Sequence, residues 1–171
     1  MKIVLKPLGN VDNRIIEELK EILGHTFGCP LEIAGKLDMP HKAYNSKRGQ
    51  HLASELLTTL KASGIAPGAR ILGIVDVDLY APELHFVFGW ADDIPSDVAI
   101  ISLYRLKQEL PPDYGLFLNR AAKEAIHELG HTFGLEHCPK IKCVMHFSNS
   151  LHDTDVKEMT FCSQCHPKLI K

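Results

Sequence analysis

The chain has 171 residues with a formal net charge of −2, and hydrophobic residues make up 45% of it. This length predicts a single domain with its own core. No apolar run approaches the roughly 20 residues that a transmembrane helix needs. Lysine and arginine form no basic block, which argues against binding to nucleic acid or to a membrane surface. The first ten residues lack the apolar core of a signal peptide, so we expect a cytoplasmic protein.

Hydrophobic periodicity predicts that strands and helices alternate along the first two thirds of the chain. The predicted strands are residues 2–8, 29–36, 70–77, 84–90 and 98–103, and the predicted helices are residues 11–24 and 50–63. Residues 70–77 and 98–103 are nearly continuous apolar runs, as in strands that are covered on both faces. The order of the elements predicts an α/β fold, a mixed twisted sheet with helices packed on it.

A third helix is predicted to begin at Asn119, a suitable N-cap, after a break in the segment 111–115 (PPDYG). Its apolar side chains recur at helical spacing and should pack under the sheet. They belong to Ala122, Ile126, Leu129 and Phe133. Lys123 and Glu124 should face elsewhere. Beyond Gly134 the chain is rich in Cys, His, Ser and Asn, and we expect an irregular structure there.

The third helix carries the sequence HELGHTFGLEH, which begins at His127. Helical spacing places His127 and His131 one turn apart on one face, which suits two ligands of a tetrahedral zinc ion. Glu128 is rotated by about 100° from that face and can reach a metal-bound water as a general base. Gly134 can take a positive φ and turn the chain, so that His137 returns as the third ligand. Three protein ligands leave a position for water, which is typical of a catalytic zinc.

This pattern resembles the metzincin signature, in which Met145 would be the Met-turn residue under the zinc ligands. The finer resemblance is to the archaemetzincin family, through HELGHTFGLEHC, CVMHFSNS (residues 143–150) and FCSQC (residues 161–165). It implies a metzincin-like catalytic domain with an upper subdomain of about residues 1–134 and a lower one of about 135–171. Astacin-like and serralysin-like members have a tyrosine ligand two residues after the methionine. Phe147 stands there in this chain and excludes that ligand.

A second metal site is predicted from four cysteines that are spaced C-x4-C and C-x2-C across a longer loop. They are Cys138, Cys143, Cys162 and Cys165. Such a site is closed and structural, and it would tie the loop after His137 to the C-terminal tail. The resemblance implies the same ligand set, and two zinc ions per chain. Four buried, reduced cysteines remain the alternative. Cys29 is interpreted as a simple thiol.

The resemblance implies a zinc metallopeptidase acting on peptide or protein substrates. Zinc would activate a bound water, and Glu128 would take its proton and pass it to the leaving amine. In metzincins, a strand at the edge of the cleft pairs with an extended substrate, and residues 84–90 are the candidate here. Two alternatives stay open for the histidines: a coincidental grouping and a metal site without catalysis. The alternative function is a zinc-binding, metzincin-like protein with little or no peptidase activity, which binds peptides or regulates.

Overall fold

The structure is a computed structural model that describes residues 2–92, 94–108 and 113–170. Its strands are β1 (Lys2–Pro7), β2 (Leu31–Ile33), β3 (Tyr44–Asn45), β4 (Gln50–Leu52), β5 (Ala69–Val75), β6 (Leu79–Tyr80), β7 (Gly89–Ala91) and β8 (Val98–Ser102). Its α-helices are α1 (Asn13–Phe27), α2 (Ala53–Ala62), α3 (Tyr114–Thr132) and α4 (Leu151–Val156). Within these ranges, no helix is long and apolar enough to cross a membrane.

The main sheet contains five strands in the order β2-β1-β5-β8-β7. The first four are parallel to one another, and β7 runs antiparallel to β8 at one edge. A smaller sheet is formed by β3, β4 and β6. The predicted α/β fold with a mixed sheet is therefore confirmed.

The two faces of the main sheet are covered by different helices, as the apolar runs predicted. Leu72 and Ile74 of β5 pack into a core with α1 and α3. Ile71 and Val75, which point to the opposite face, pack into a second core with α2. Side chains alternate in the same way along β8. The sheet is thus buried on both faces, and α3 is held against one of them.

The first two helices differ from the sequence prediction for two reasons, capping in α1 and strand pairing before α2. Asp12 accepts a hydrogen bond from the backbone N–H of Arg14 and begins α1. The helix continues to Phe27, because Gly28, rather than Gly24, adopts the left-handed conformation that ends it. Residues 50–52 were predicted as helix but form β4, which pairs with β3 and β6.

Helix α3 begins five residues before the predicted N-cap at Asn119. Asp113 is the N-cap instead, because its Oδ1 accepts a hydrogen bond of 3.0 Å from the N–H of Leu116. Gly115 lies inside the helix rather than in a break. Residues 111 and 112 of the predicted break lie outside the described part of the chain. The residues His127, Glu128 and His131 therefore sit in the last third of a long helix, well away from its fraying start.

Helix α3 is buried on all sides from Arg120 to Thr132. Ala122, Ile126 and Leu129 of its apolar stripe pack under the sheet as predicted. Phe133 was predicted to join them but is the C-cap residue, only partly buried and stacked on Phe27. Lys123 faces the other way but is also buried, because its Nζ donates to the carbonyl oxygens of Thr154 and Asp155. Arg120 makes a bidentate ion pair with Asp155 at 2.7 and 2.6 Å. The C-terminal segment thus covers the face of α3 that points away from the main sheet.

Residues 84–90 form a continuous strand only over their last part, since β7 covers Gly89–Ala91. The carbonyl oxygens of Leu84 and His85 accept hydrogen bonds from the Arg48 guanidinium at 2.9 and 3.0 Å. The buried Gln50 amide donates to the His85 carbonyl as well. The N–H of Val87 donates to the Leu79 carbonyl at 3.0 Å, so this segment is held by side chains and a single backbone bridge rather than by continuous strand pairing.

Candidate metal centre and active site

A cleft of about 420 Å³ runs along the C-terminal half of α3. Its floor is formed by α3 side chains, from Glu124 to His131. Residues 83–92, including β7, line it on one side and are called the upper wall. Residues 147–149 line the opposite side and are called the lower wall. The cleft is thus bounded by three different parts of the chain.

The structure brings His127, His131 and His137 together at the floor of the cleft. One ring nitrogen from each lies within 4.8 Å of the others. Nδ1 of His127 lies 2.8 Å from the carbonyl oxygen of Val144, and Nδ1 of His131 lies 2.7 Å from that of Leu135. A carbonyl accepts only, so both Nδ1 atoms carry the proton and both Nε2 atoms present a lone pair.

The turn after α3 is made by Gly134, whose φ is 86°. Its N–H donates to the His131 carbonyl, and the N–H of Leu135 donates to the Gly130 carbonyl at 3.1 Å. This reversal buries Leu135 and supplies the carbonyl that orients His131. The positive φ expected from the sequence is what allows His137 to approach the other two rings.

The geometry of the histidines fits a metal ion. Nε2 of His127 and Nε2 of His131 are only 3.1 Å apart, and both face the same point with lone pairs. Burial, together with the charge of Lys157, holds the pKa of His127 well below its usual range. Burial and the neighbouring His131 lower the pKa of His137 to about 4. Neutral imidazoles with converging lone pairs are the ligand set of a zinc ion.

Glu128 lies beside this cluster with its carboxylate in the cleft. The residue is 5% exposed, and its Oε2 is buried without a hydrogen-bond partner among the residues that the structure covers. Burial raises the pKa of Glu128 well above its usual range, and the nearby Glu124 carboxylate raises it further. A cation held by the histidines would oppose that shift. The free oxygen can therefore accept a proton from a water in the cleft.

Met145 lies beneath the active-site helix and is fully buried. A Cβ atom built on Gly130 would overlap the sulfur of Met145, so the helix can pack on the methionine only where a glycine stands. The carbonyl oxygen of Met145 accepts a hydrogen bond of 2.9 Å from the N–H of Cys138. The methionine thus links the floor of the cleft to the cysteine-containing segment.

The four C-terminal cysteines also meet, with all sulfur atoms within 4.8 Å of one another. All of them, and Cys29, are free thiols. Burial raises the pKa of Cys165, and the neighbouring Cys162 raises it further. Burial also acts to raise the pKa of Cys162, but the N–H groups of Gln164 and Cys165 outweigh it and lower the pKa to about 6. A thiolate packed against other thiols is the setting in which a divalent cation binds.

Several residues that shape the site were not foreseen from the sequence. Gly89 and Gly130 make room for Glu128 and Met145, and an isolated glycine inside the helical motif was a signal that could have been used. Glu124 lines the cleft and pairs with the buried Lys157. The position of Lys157 in the sequence gives no such signal, since only the fold brings this residue under α3.

This helix, sheet and cleft define the class of zinc-dependent metallopeptidases, and comparisons with known proteins lead to the same class. The family model described as Peptidase family M54 matches residues 30–171. The chain therefore belongs to peptidase family M54, the archaemetzincins, as its motifs indicated. Its zinc dependence and its action on peptide or protein substrates follow from that membership.

Relatives and solved structures agree over nearly the whole chain. The archaemetzincin of Methanocaldococcus jannaschii is 43% identical over 99% of this chain and 93% of its own length. The crystal structure of the Methanopyrus kandleri archaemetzincin superposes with a TM-score of 0.88 at 40% identity, covering 99% of this chain and 93% of that one. The Archaeoglobus fulgidus archaemetzincin, complexed with malonate, gives a TM-score of 0.87 at 36% identity, covering 98% and 99%.

Proposed function

We propose that this zinc metallopeptidase uses Glu128 as its general base, with His127, His131 and His137 as the metal ligands. The observation that carries the proposal is the buried Oε2 of Glu128, which has no hydrogen-bond partner among the described residues and lies in the same cleft as two converging Nε2 atoms. A buried polar atom without a partner costs about 1–3 kcal/mol, which suits a group kept free for chemistry.

When zinc is bound, it supplies Lewis-acid polarisation of a carbonyl and lowers the pKa of a water towards about 7. Glu128 then accepts a proton from the attacking water and delivers it to the leaving amine. His127 and His131 stay neutral and fixed in orientation through the carbonyls of Val144 and Leu135. The buried floor excludes bulk water around Glu128, which strengthens its interactions in the cleft.

Strand β7 is the proposed binding edge for an extended peptide. It pairs with β8 on one side only and lies at the end of the main sheet, where it lines the cleft. An exposed edge offers N–H and C=O groups to a further strand. The proposal takes β7 as the binding edge rather than the whole predicted segment 84–90, because the carbonyl oxygens of Leu84 and His85 already accept hydrogen bonds from Arg48 and Gln50.

We also propose a second, structural zinc held by Cys138, Cys143, Cys162 and Cys165. The convergence of their sulfur atoms supports it. The cleft further supports a division into an upper subdomain, about residues 1–134, and a lower one, about 135–171. Residues 83–92 line one side, whereas His137 and the lower wall come from the other part of the chain.

The test compares the native protein with Glu128→Gln, a variant of almost the same shape. Both are loaded with zinc, counted for metal by mass spectrometry and offered a diverse peptide library. We expect two zinc ions in each, cleavage by the native protein that a hydroxamate blocks, and a loss of at least about 1,000-fold in kcat for the variant. Equal turnover by Glu128→Gln would overturn the role of the base. A native protein that binds zinc but cleaves no peptide would favour a binding or regulatory function.

A further inference from the structure

Lys157 is a fully buried lysine next to the cleft, and the mechanism above leaves it without a role. Its side chain has no exposed surface, and its Nζ lies 2.9 Å from Oε1 of Glu124. The same ammonium donates to the carbonyl oxygen of His146 at 3.4 Å. Lys157 follows α4 in the chain, so only the tertiary fold brings it to this position.

The pairing of Lys157 with Glu124 is required by burial. An isolated ammonium inside a protein costs several kcal/mol unless a counter-charge and further hydrogen bonds satisfy it. Glu124 is 4% exposed, and its Oε1 also accepts a hydrogen bond from the Thr154 hydroxyl. Two other buried cations lie nearby: Arg120 pairs with Asp155, and Lys123 donates to the carbonyl oxygen of Thr154.

One partner of Lys157 lines the cleft, and the other directly precedes its lower wall. Glu124 stands on α3 one turn before Glu128 and lines the floor. His146 lies between Met145 and the lower wall, residues 147–149. A single ammonium therefore joins the floor to the segment that leads into the lower wall. The metal ligands do not depend on it for hydrogen bonds, because His127 and His131 are oriented by other carbonyls.

We propose that Lys157 is a positioning residue that fixes the lower wall against the active-site helix. It thereby shapes the pocket that receives the substrate side chain on one side of the scissile bond. This inference rests on the proposed function, since it assigns a role in that same cleft. Lys157 itself touches neither substrate nor metal. It acts through the carboxylate of Glu124 and the backbone carbonyl of His146.

Four variants separate positioning from simple stabilisation: Lys157→Met, Glu124→Gln, the double variant, and Lys123→Met as a matched control. Lys157→Met leaves the Glu124 carboxylate buried without its counter-charge and should unfold at lower urea concentration. The double variant removes both charges and should recover most of that stability. Lys123→Met removes another buried lysine that does not line the cleft, and it should destabilise without affecting ligand binding.

The decisive readout is the binding of two hydroxamates, measured by calorimetry on the zinc-loaded proteins. Acetohydroxamate reaches only the metal and should bind equally well to the native protein, to Lys123→Met and to the double variant, because the double variant removes two charges whose effects on Glu128 are opposite. A peptidyl hydroxamate also fills the pocket, and its Kd should rise by about tenfold or more in the stable double variant. KM for cleaved peptides should rise by a similar factor, while kcat changes less.

Peptidyl hydroxamate binding at the native level in the stable double variant would overturn the proposal. So would an equal weakening of both hydroxamates, because Lys157 would then act on the metal site. These binding measurements do not need turnover. Suppose that the native protein cleaves no peptide, but that the double variant binds only the peptidyl hydroxamate more weakly. The peptidase mechanism then fails, and the role of Lys157 stands.

Discussion

Gly89 of the upper wall and Glu128 of helix α3 are in direct contact where the wall meets the floor of the cleft. A Cβ atom on Gly89 would lie 2.5 Å from Cγ and 2.6 Å from Oε1 of Glu128. Such separations are far below van der Waals contact, so the carboxylate can hold its position only beside a glycine. The edge strand therefore helps to set the position of the proposed base.

The first prediction is that Gly89→Ala displaces Glu128 and lowers kcat by about 100-fold, because a shift of the base by about 1 Å disrupts proton transfer. Zinc content and the far-UV spectrum should stay native. The matched control is Gly35→Ala, since nothing lies within 4 Å of a Cβ there and no left-handed conformation is required. Steady-state kinetics on a peptide found in the library would check both. Native kcat in Gly89→Ala would refute the contact as a constraint.

The second prediction contrasts two glycines inside helices. Gly24→Ala in α1 should stabilise the protein by about 0.5–1 kcal/mol, because alanine favours the helix and the nearest side-chain atom is 4.0 Å away. Gly130→Ala in α3 should destabilise it by about 1–3 kcal/mol, because the new methyl group overlaps Met145. Urea denaturation measures both changes. A stabilised Gly130→Ala variant would show that Met145 moves aside without cost.

The third prediction concerns the thiolate cluster. Cys162→Ser should lower the zinc content by one ion per chain and reduce the unfolding free energy by about 4 kcal/mol when free zinc is held near 1,000 times its Kd. Cys29→Ser should change neither quantity, because Cys29 lies outside the cluster. Metal analysis and thermal unfolding in zinc-buffered solution provide the measurement. Unchanged zinc content in Cys162→Ser would leave four reduced thiols as the better interpretation.

The fourth prediction is that the metal-free protein loses stability as pH falls from about 6.5 towards 4. Unfolded histidine has a pKa of about 6.5. In the fold, burial lowers the pKa of His127 and His131, and it lowers that of His137 to about 4. The unfolded state thus binds more protons than the folded state in this window. The free energy of unfolding therefore decreases as the pH is lowered.

This pH series should be recorded after chelation and in the Glu128→Gln background. The raised pKa of Glu128 acts with the opposite sign, since its protonated form is favoured in the fold and gains stability as pH falls. Adding His137→Asn should flatten part of the slope between pH 6.5 and 4. A stability that is level across this window in the parent would contradict the lowered histidine pKa values.

The sequence was sufficient to predict those parts of the site that depend on local geometry. The spacing of His127 and His131 is a property of one helix, and the turn at Gly134 is a property of one residue. The class of fold also followed, because β5 and β8 are apolar on both faces. Each of these features depends on residues that are close in the sequence, so it can be predicted without knowledge of the tertiary structure.

The remaining features depend on contacts between distant segments. Helix α3 begins earlier than predicted, because its N-cap is Asp113 and not Asn119. Lys157 and Glu124 look like solvated charges in the sequence, yet the fold encloses both. Gln50 was assigned to a helix, although its amide belongs to the network that holds the upper wall. Such side chains are positioned by long-range packing, for which periodicity gives no signal.

The burial of α3 on all sides has a consequence for how the molecule opens. Amide protons between Arg120 and Thr132 lie between the sheet and the C-terminal segment, so they exchange with solvent only when both layers separate. Glu83 and His85 of the upper wall are exposed, and their amides should exchange through small local fluctuations. Glu128 and two of the proposed ligands, His127 and His131, therefore stand on an element that should open slowly, whereas the exposed start of the upper wall should open more readily.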